Sequence, residues 1–174
     1  MDYFEIKESK KLYGSVKVSG AKNAVLPLMA ASILNKKKIK ILNVPTLSDS
    51  ITMSKLIEEM GGDVQFDSDD SIIVDSSKLN NPYAPYDLVK TMRASFYVLG
   101  PLLARFKKAK VSLPGGCAWG PRPVDFHLKG LESLGVKISI ENGYVVANAR
   151  QLVCLLYTSP SPRDATLSRM PSCA

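Results

Sequence analysis

Met60-Gly61-Gly62-Asp63-Val64-Gln65-Phe66 and, farther along, Leu134-Gly135-Val136-Lys137-Ile138-Ser139-Ile140 read alike: a helix stops at glycine and an alternating strand begins. Upstream of each, Ile33-Leu34-Asn35-Lys36-Lys37-Lys38-Ile39-Lys40-Ile41 is matched by Ala104-Arg105-Phe106-Lys107-Lys108-Ala109-Lys110-Val111-Ser112, again a helix end, a lysine turn and a strand. Both matches are offset by about 70 residues, the mark of an internal repeat. The chain therefore carries two copies of a helix, strand, helix, strand, strand unit, each closing in a hairpin. Helices that bury one face against a shared sheet core define an α/β fold.

In the first copy the pattern predicts a helix from about Asn23 through Leu34 and a strand from Lys38 to Leu42. Ser48 is expected to cap a second helix with Ile51, Leu56, Ile57 and Met60 on one side, ended by Gly61. Strands Val64 to Phe66 and Ile72 to Val74 flank the turn-prone Asp67-Ser68-Asp69-Asp70. In the second copy a helix is expected from Tyr86 to about Leu99, with Pro101 near an irregular turn. A strand then runs from Lys110 to Leu113 and a helix from Val124 to Leu134. The closing hairpin, Lys137 to Ile140 and Tyr144 to Ala147, turns at Glu141-Asn142-Gly143.

The 174 residues, 45% of them hydrophobic, suffice for one sizeable core or for most of one domain of a larger protein. No apolar run approaches the roughly 18 residues of a membrane span, and the first residues lack a basic-then-apolar leader, so a cytoplasmic protein without membrane partners is expected. Cys117, Cys154 and Cys173 are odd in number and far apart, which argues against a disulfide framework or a zinc site. The net charge of +7 comes largely from lysines at helix ends, where cations complement the macrodipole. No nucleic-acid-binding signature accompanies them.

The chemistry gathers in Leu113-Pro114-Gly115-Gly116-Cys117-Ala118-Trp119-Gly120-Pro121-Arg122-Pro123-Val124-Asp125-Phe126-His127. Glycines on both sides of Cys117 put a thiol on a loop able to close, and prolines stiffen its exit. A guanidinium nearby, that of Arg122, favours the thiolate and offers a bidentate clamp for phosphate or carboxylate.

Three ordered motifs carry a family resemblance: Ser19-Gly20-Ala21-Lys22-Asn23-Ala24, Met92-Arg93-Ala94-Ser95, and Gly115-Gly116-Cys117-Ala118 with Gly120-Pro121-Arg122-Pro123-Val124-Asp125-Phe126-His127. Over about residues 1 to 150 the chain resembles the enolpyruvyl transferases. The cysteine loop looks like the branch acting on UDP-N-acetylglucosamine rather than the sister branch acting on shikimate 3-phosphate. The resemblance implies a partial enolpyruvyl-transferase fold, an inside-out α/β barrel of six repeats in two domains with the active site between them. It implies transfer of an enolpyruvyl group from phosphoenolpyruvate to the sugar 3-hydroxyl, the first committed step of peptidoglycan synthesis, by addition and elimination. Lys22, Arg93 and Arg122 would hold the anion, and Cys117 would protonate the methylene carbon and be the site of capture by fosfomycin. Asn23 and the run Arg122, Pro123, Val124, Asp125 and Phe126 would meet the nucleotide sugar, with Tyr97 nearby and His127 supporting by hydrogen bonds. No metal or organic cofactor is implied.

Each residue has a plainer reading. Lys22 suits a surface helix start, Arg93 a solvated helix face, Cys117 a structural thiol, and the whole chain a non-catalytic UDP-sugar or anion-binding module. The resemblance also sets the domain limits. Residues 1–20 are leading strands expected to pair with a second domain absent here, and 21–150 hold the two repeats of a partial catalytic domain. Residues 151–174 are rich in serine, proline and arginine and resemble no third copy. They read as a disordered tail or, preferably, as foreign sequence joined by a frameshift or translated adapter DNA. Such a fragment is expected to be inactive alone.

Overall fold

The computed structural model describes residues 3–5, 11, 13–90, 92–114 and 124–153. The first unit comprises α1 (Lys22–Ser32), β1 (Lys38–Ile41), α2 (Ser48–Glu59), β2 (Asp63–Asp67) and β3 (Ser71–Asp75). The second comprises β4 (Tyr83–Ala84), α3 (Tyr86–Val89), a 3-10 helix (Arg93–Val98), α4 (Leu99–Phe106), β5 (Lys108–Ser112), α5 (Asp125–Ser133), β6 (Val136–Glu141) and β7 (Tyr144–Ala149).

The repeat is visible in the sheets. The first is ordered β1-β3-β2 and the second β4-β5-β7-β6, so β5, β7 and β6 repeat the first sheet and β4 adds a parallel edge. In both, the last strand lies between the first and its own hairpin partner, antiparallel to each. Alternation then puts one row of each strand inward: Ile72 and Val74 on β3, Ala109 and Val111 on β5, Val145 and Ala147 on β7 are all buried. Met29, Ile33, Met53, Leu56, Ile57, Leu99, Leu102 and Leu103 complete a single core that spans both units. Helix ends follow the glycines: Gly61 and Gly135 adopt φ of +93° and +90° in the turns that lead into β2 and β6.

Several expectations need correction. Ser48 does not cap α2; Leu47 occupies that position, without a side-chain cap, and Ser48 is the first helical residue. Ile51 is 41% exposed whereas Met53, Leu56, Ile57 and Met60 are buried. Two residues from Met53 is about 200° around a helix, so Ile51 belongs to the opposite side. The expected helix from Tyr86 to Leu99 is broken after Val89 and resumes as the 3-10 helix and α4, which continues to Phe106. Pro101 lies in the first turn of α4, where a missing N–H is tolerated, and the irregularity falls earlier. Apart from these corrections, the described residues among 3–20 pair with no strand of either sheet, and Tyr3, Phe4, Tyr13, Val16 and Val18 are exposed.

Candidate functional site

Three helix starts meet at one cavity. α1 begins at Lys22 after Ala21, α2 at Ser48 after Leu47, and the 3-10 helix at Arg93 after Met92; none of these starts has a side-chain cap. The backbone N–H groups of Lys22, Asn23, Asp49, Arg93 and Ala94 find no acceptor among the described residues. The cavity, about 520 Å3, is lined by Lys22, Asn23, Leu26, Asp49, Met92, Arg93, Ala94 and Tyr97. Helix starts present free donors and a positive dipole end, which suits an anion.

Local packing sets which side chains reach this space. Leu26 is buried one turn beyond Lys22, so α1 is held by its apolar side while Lys22 and Asn23 stay exposed. Met92, Phe96 and Val98 are buried, which leaves Arg93 and Tyr97 outward on the same 3-10 helix. Pro27, inside α1, cannot donate to the Asn23 carbonyl four residues earlier.

Within the cavity the Lys22 ammonium pairs with the Asp49 carboxylate at 3.0 Å. With side chains 48% and 28% exposed, the pair is worth up to about 1 kcal/mol. Arg93 has no hydrogen-bonding or ion-pair partner among the described residues. Two cations and one carboxylate thus leave one positive charge uncompensated, carried by a planar guanidinium suited to phosphate or carboxylate.

Lys22, Asn23, Arg93 and Tyr97, the first three distributed over two of the sequence motifs, are therefore brought together. The start of α5 lies elsewhere. Phe126, 80% exposed, and His127 line an apolar cleft of about 320 Å3 with Phe96, Leu99, Leu131 and Leu134, and His127 meets Phe96 edge-on at 6.2 Å between ring centroids. Tyr97 borders both spaces. Val124, just before α5, is buried and Asp125, in its first turn, is exposed, and neither lines the Lys22 cavity. Cys117, Arg122 and Pro123 lie outside the described residues.

Sequence reasoning missed Asp49. Its signal was present: α2 and α5 are corresponding helices of the repeat and each carries an acid in its first turn, Asp49 and Asp125. Only the second was singled out. Among the described residues no group of His, Cys, Asp or Glu is arranged to hold a metal ion.

Comparisons with known proteins bear on this geometry. Residues 6–154 match the model of the family described as EPSP synthase (3-phosphoshikimate 1-carboxyvinyltransferase). A protein of Campylobacter fetus subsp. fetus named UDP-N-acetylglucosamine 1-carboxyvinyltransferase is 52% identical over 150 residues, 86% of this chain and 36% of that protein. A protein of the same name from Psychrobacter arcticus is 56% identical over 149 residues, 86% of this chain and 35% of its own length. The crystal structure of the enolpyruvyl transferase NikO from Streptomyces tendae superposes with a TM-score of 0.69 at 25% identity, covering 82% of this chain and 31% of that one. The chain thus spans about a third of the length of the curated relatives it matches.

Proposed function

This chain belongs to the EPSP synthase family, and on that premise we propose that it is the N-terminal part of an enzyme that transfers enolpyruvyl from phosphoenolpyruvate to the 3-hydroxyl of UDP-N-acetylglucosamine. The observation that carries this reading is the meeting of Lys22, Asn23 and Arg93 at one cavity made by three helix starts. The relatives' names supply the substrates, and the cavity supplies the charge that such substrates need.

Phosphoenolpyruvate brings a phosphate and a carboxylate. Arg93 and Lys22 receive these anions from the described side, and Arg122 adds a further cation. In the addition step the sugar 3-hydroxyl oxygen bonds to the central carbon of phosphoenolpyruvate and gives its proton to a carboxylate base in the counterpart of the relatives' remaining length, while Cys117 delivers a proton to the methylene carbon. In the elimination step that carbon loses a proton and the C–O bond to phosphate breaks, giving the enolpyruvyl ether and inorganic phosphate. Asn23 meets the nucleotide sugar in the Lys22 cavity, Tyr97 borders both that cavity and the apolar cleft, and the run from Arg122 to Phe126, whose Phe126 lines the cleft, meets the remainder of the nucleotide sugar with His127 supporting it.

The counterpart of the relatives' remaining length forms the second wall, which excludes water and completes the clamp. Residues 1–20 belong with that wall, 21–150 form the first part of the catalytic domain, and 151–174 stand apart from both. The setting is the bacterial cytoplasm and peptidoglycan synthesis. The chain by itself turns nothing over.

A chimera tests the proposal. Residues 1–150 of this chain replace the corresponding part of the Campylobacter fetus relative, and phosphate release is measured with both substrates. Release that requires phosphoenolpyruvate and UDP-N-acetylglucosamine, and that falls by about 100-fold or more in kcat/KM with Arg93→Ala, supports it. A folded chimera that releases no phosphate refutes it.

A further inference from the structure

We infer that Asp49 is a positioning residue: it holds the Lys22 ammonium over the cavity so that an incoming anion meets Lys22 and Arg93 together. The inference rests on the proposed function for the identity of that anion, and on geometry for the rest.

Lys22 occupies the first position of α1, next to the positive end of that helix's own dipole. A cation there is repelled from the helix start, and a four-carbon stem lets it swing into water. Asp49 is placed oppositely. It lies in the first turn of α2, where a carboxylate is favoured, and its oxygen sits 3.0 Å from the Lys22 ammonium. The two helices pack against one another, so the carboxylate is fixed relative to α1 by the core beneath it, in which Leu26, Met29, Met53 and Leu56 are buried.

Both side chains line the cavity, together with Arg93 and Asn23. The pair is therefore within the binding space rather than on a remote surface. Lys22 is tethered and Arg93 has no partner among the described residues, so the tether decides where the second cation stands when the first engages the ligand.

Coulomb's law and positioning predict opposite signs, which makes the inference sharp. If Asp49 acted only as a nearby negative charge, deleting it would strengthen anion binding. If it positions Lys22, deleting it weakens binding, by up to about fivefold for a half-exposed pair worth no more than about 1 kcal/mol.

The test uses this chain with Asp49→Asn, Asp49→Glu, Lys22→Ala and the double variant Asp49→Asn with Lys22→Ala. Phosphoenolpyruvate is titrated with UDP-N-acetylglucosamine present, and the Lys22 side-chain ammonium signal is followed by NMR without ligand. Expected are weaker binding in Asp49→Asn, recovery in Asp49→Glu, and no weakening by Asp49→Asn once Lys22 is alanine. The Lys22 signal should move toward those of Lys36 and Lys37 in Asp49→Asn and return in Asp49→Glu. Unchanged or tighter binding in Asp49→Asn overturns the inference, as does a Lys22 signal indifferent to residue 49. A Lys22 signal that responds to residue 49 when the parent chain binds no ligand supports the tether and assigns ligand affinity to the second wall, whereas the chimera above decides the proposed function.

Discussion

The Arg105 guanidinium donates a 2.9 Å hydrogen bond to the carbonyl oxygen of Ile33, joining the end of α4 to the end of α1 across 72 residues of chain. The two residues sit at corresponding ends of the repeated unit, and Arg105 also reaches the carbonyls of Ser77 and Leu79 at 3.5 Å. One side chain thus ties the first unit, the segment that follows it and the second unit. Arg105→Ala is expected to lower stability by about 1.5–3 kcal/mol, the range for hydrogen bonds to charged groups. Arg105→Lys, lacking the planar fork, should recover only part of this. Urea unfolding midpoints measure both; an unchanged midpoint for Arg105→Ala would show that the units are held by the apolar core alone.

Gly20 is required by a close crossing. A Cβ there would overlap the Asn43 carbonyl oxygen, and the Gly20 N–H donates to Asn43 Oδ1 at 3.1 Å. The Asn43 loop has little room to retreat, because Asn43 is already at φ 54° and the next residue, Val44, donates to Asp70 O at 2.7 Å. Gly20→Ala should destabilise by about 1–3 kcal/mol and also displace Lys22, two residues on. Thermal melting reports the first effect and anion titration the second. Retention of both properties would mean that the crossing relaxes freely.

The Asn142-Gly143 turn joins β6 to β7 with both residues at positive φ, 50° and 80°, the signature of a type I′ hairpin. Nothing lies within 4 Å of a Cβ built on Gly143, so only backbone strain opposes a side chain there. Gly143→Ala should cost about 1 kcal/mol without altering ligand binding. A larger loss would point to contacts beyond the turn.

Tyr83 and Tyr144 stack at 5.7 Å with their hydroxyls 3.1 Å apart. The shared hydrogen bond pulls the two phenols in opposite directions. Tyr144 is held below the usual phenol range by its hydrogen bond with Tyr83, then by accepting from the Tyr86 N–H, with the Lys110 ammonium adding to this. Tyr83 is held above it by the same hydrogen bond, with burial adding to the effect. Tyr144→Phe should therefore remove a tyrosinate absorbance step that lies below the usual phenol range. In Tyr83→Phe the Tyr144 step should move to higher pH, since its main stabilising hydrogen bond is gone. A titration in which neither substitution changes that step would contradict this pairing.

Much of the fold was legible because glycine stops and two-residue alternation recur in both units. Gly61 and Gly135 fixed the helix ends, and Asn142-Gly143 fixed a hairpin. What was hidden depends on neighbours. Ile51 looks like a core residue in isolation, yet its angular distance from Met53 turns it outward. The break after Val89 leaves no proline or glycine in the helix pattern to announce it. At the site, Lys22, Asn23 and Arg93 carry motif signals, whereas Asp49 becomes visible only when α2 is packed beside α1 and brought to Lys22. Val124 and Asp125 belong to the third motif, yet neither lines the Lys22 cavity.

The central claim is that the cavity between the starts of α1, α2 and the 3-10 helix is half of a substrate site. Backbone amide chemical-shift mapping of this chain, titrated with UDP-N-acetylglucosamine and then phosphoenolpyruvate, tests it most directly. Shifts concentrated at Lys22, Asn23, Asp49, Arg93, Ala94 and Tyr97 are the predicted result. Shifts confined to the far sheet face around Lys108 and Lys110, or none at millimolar ligand, would contradict it.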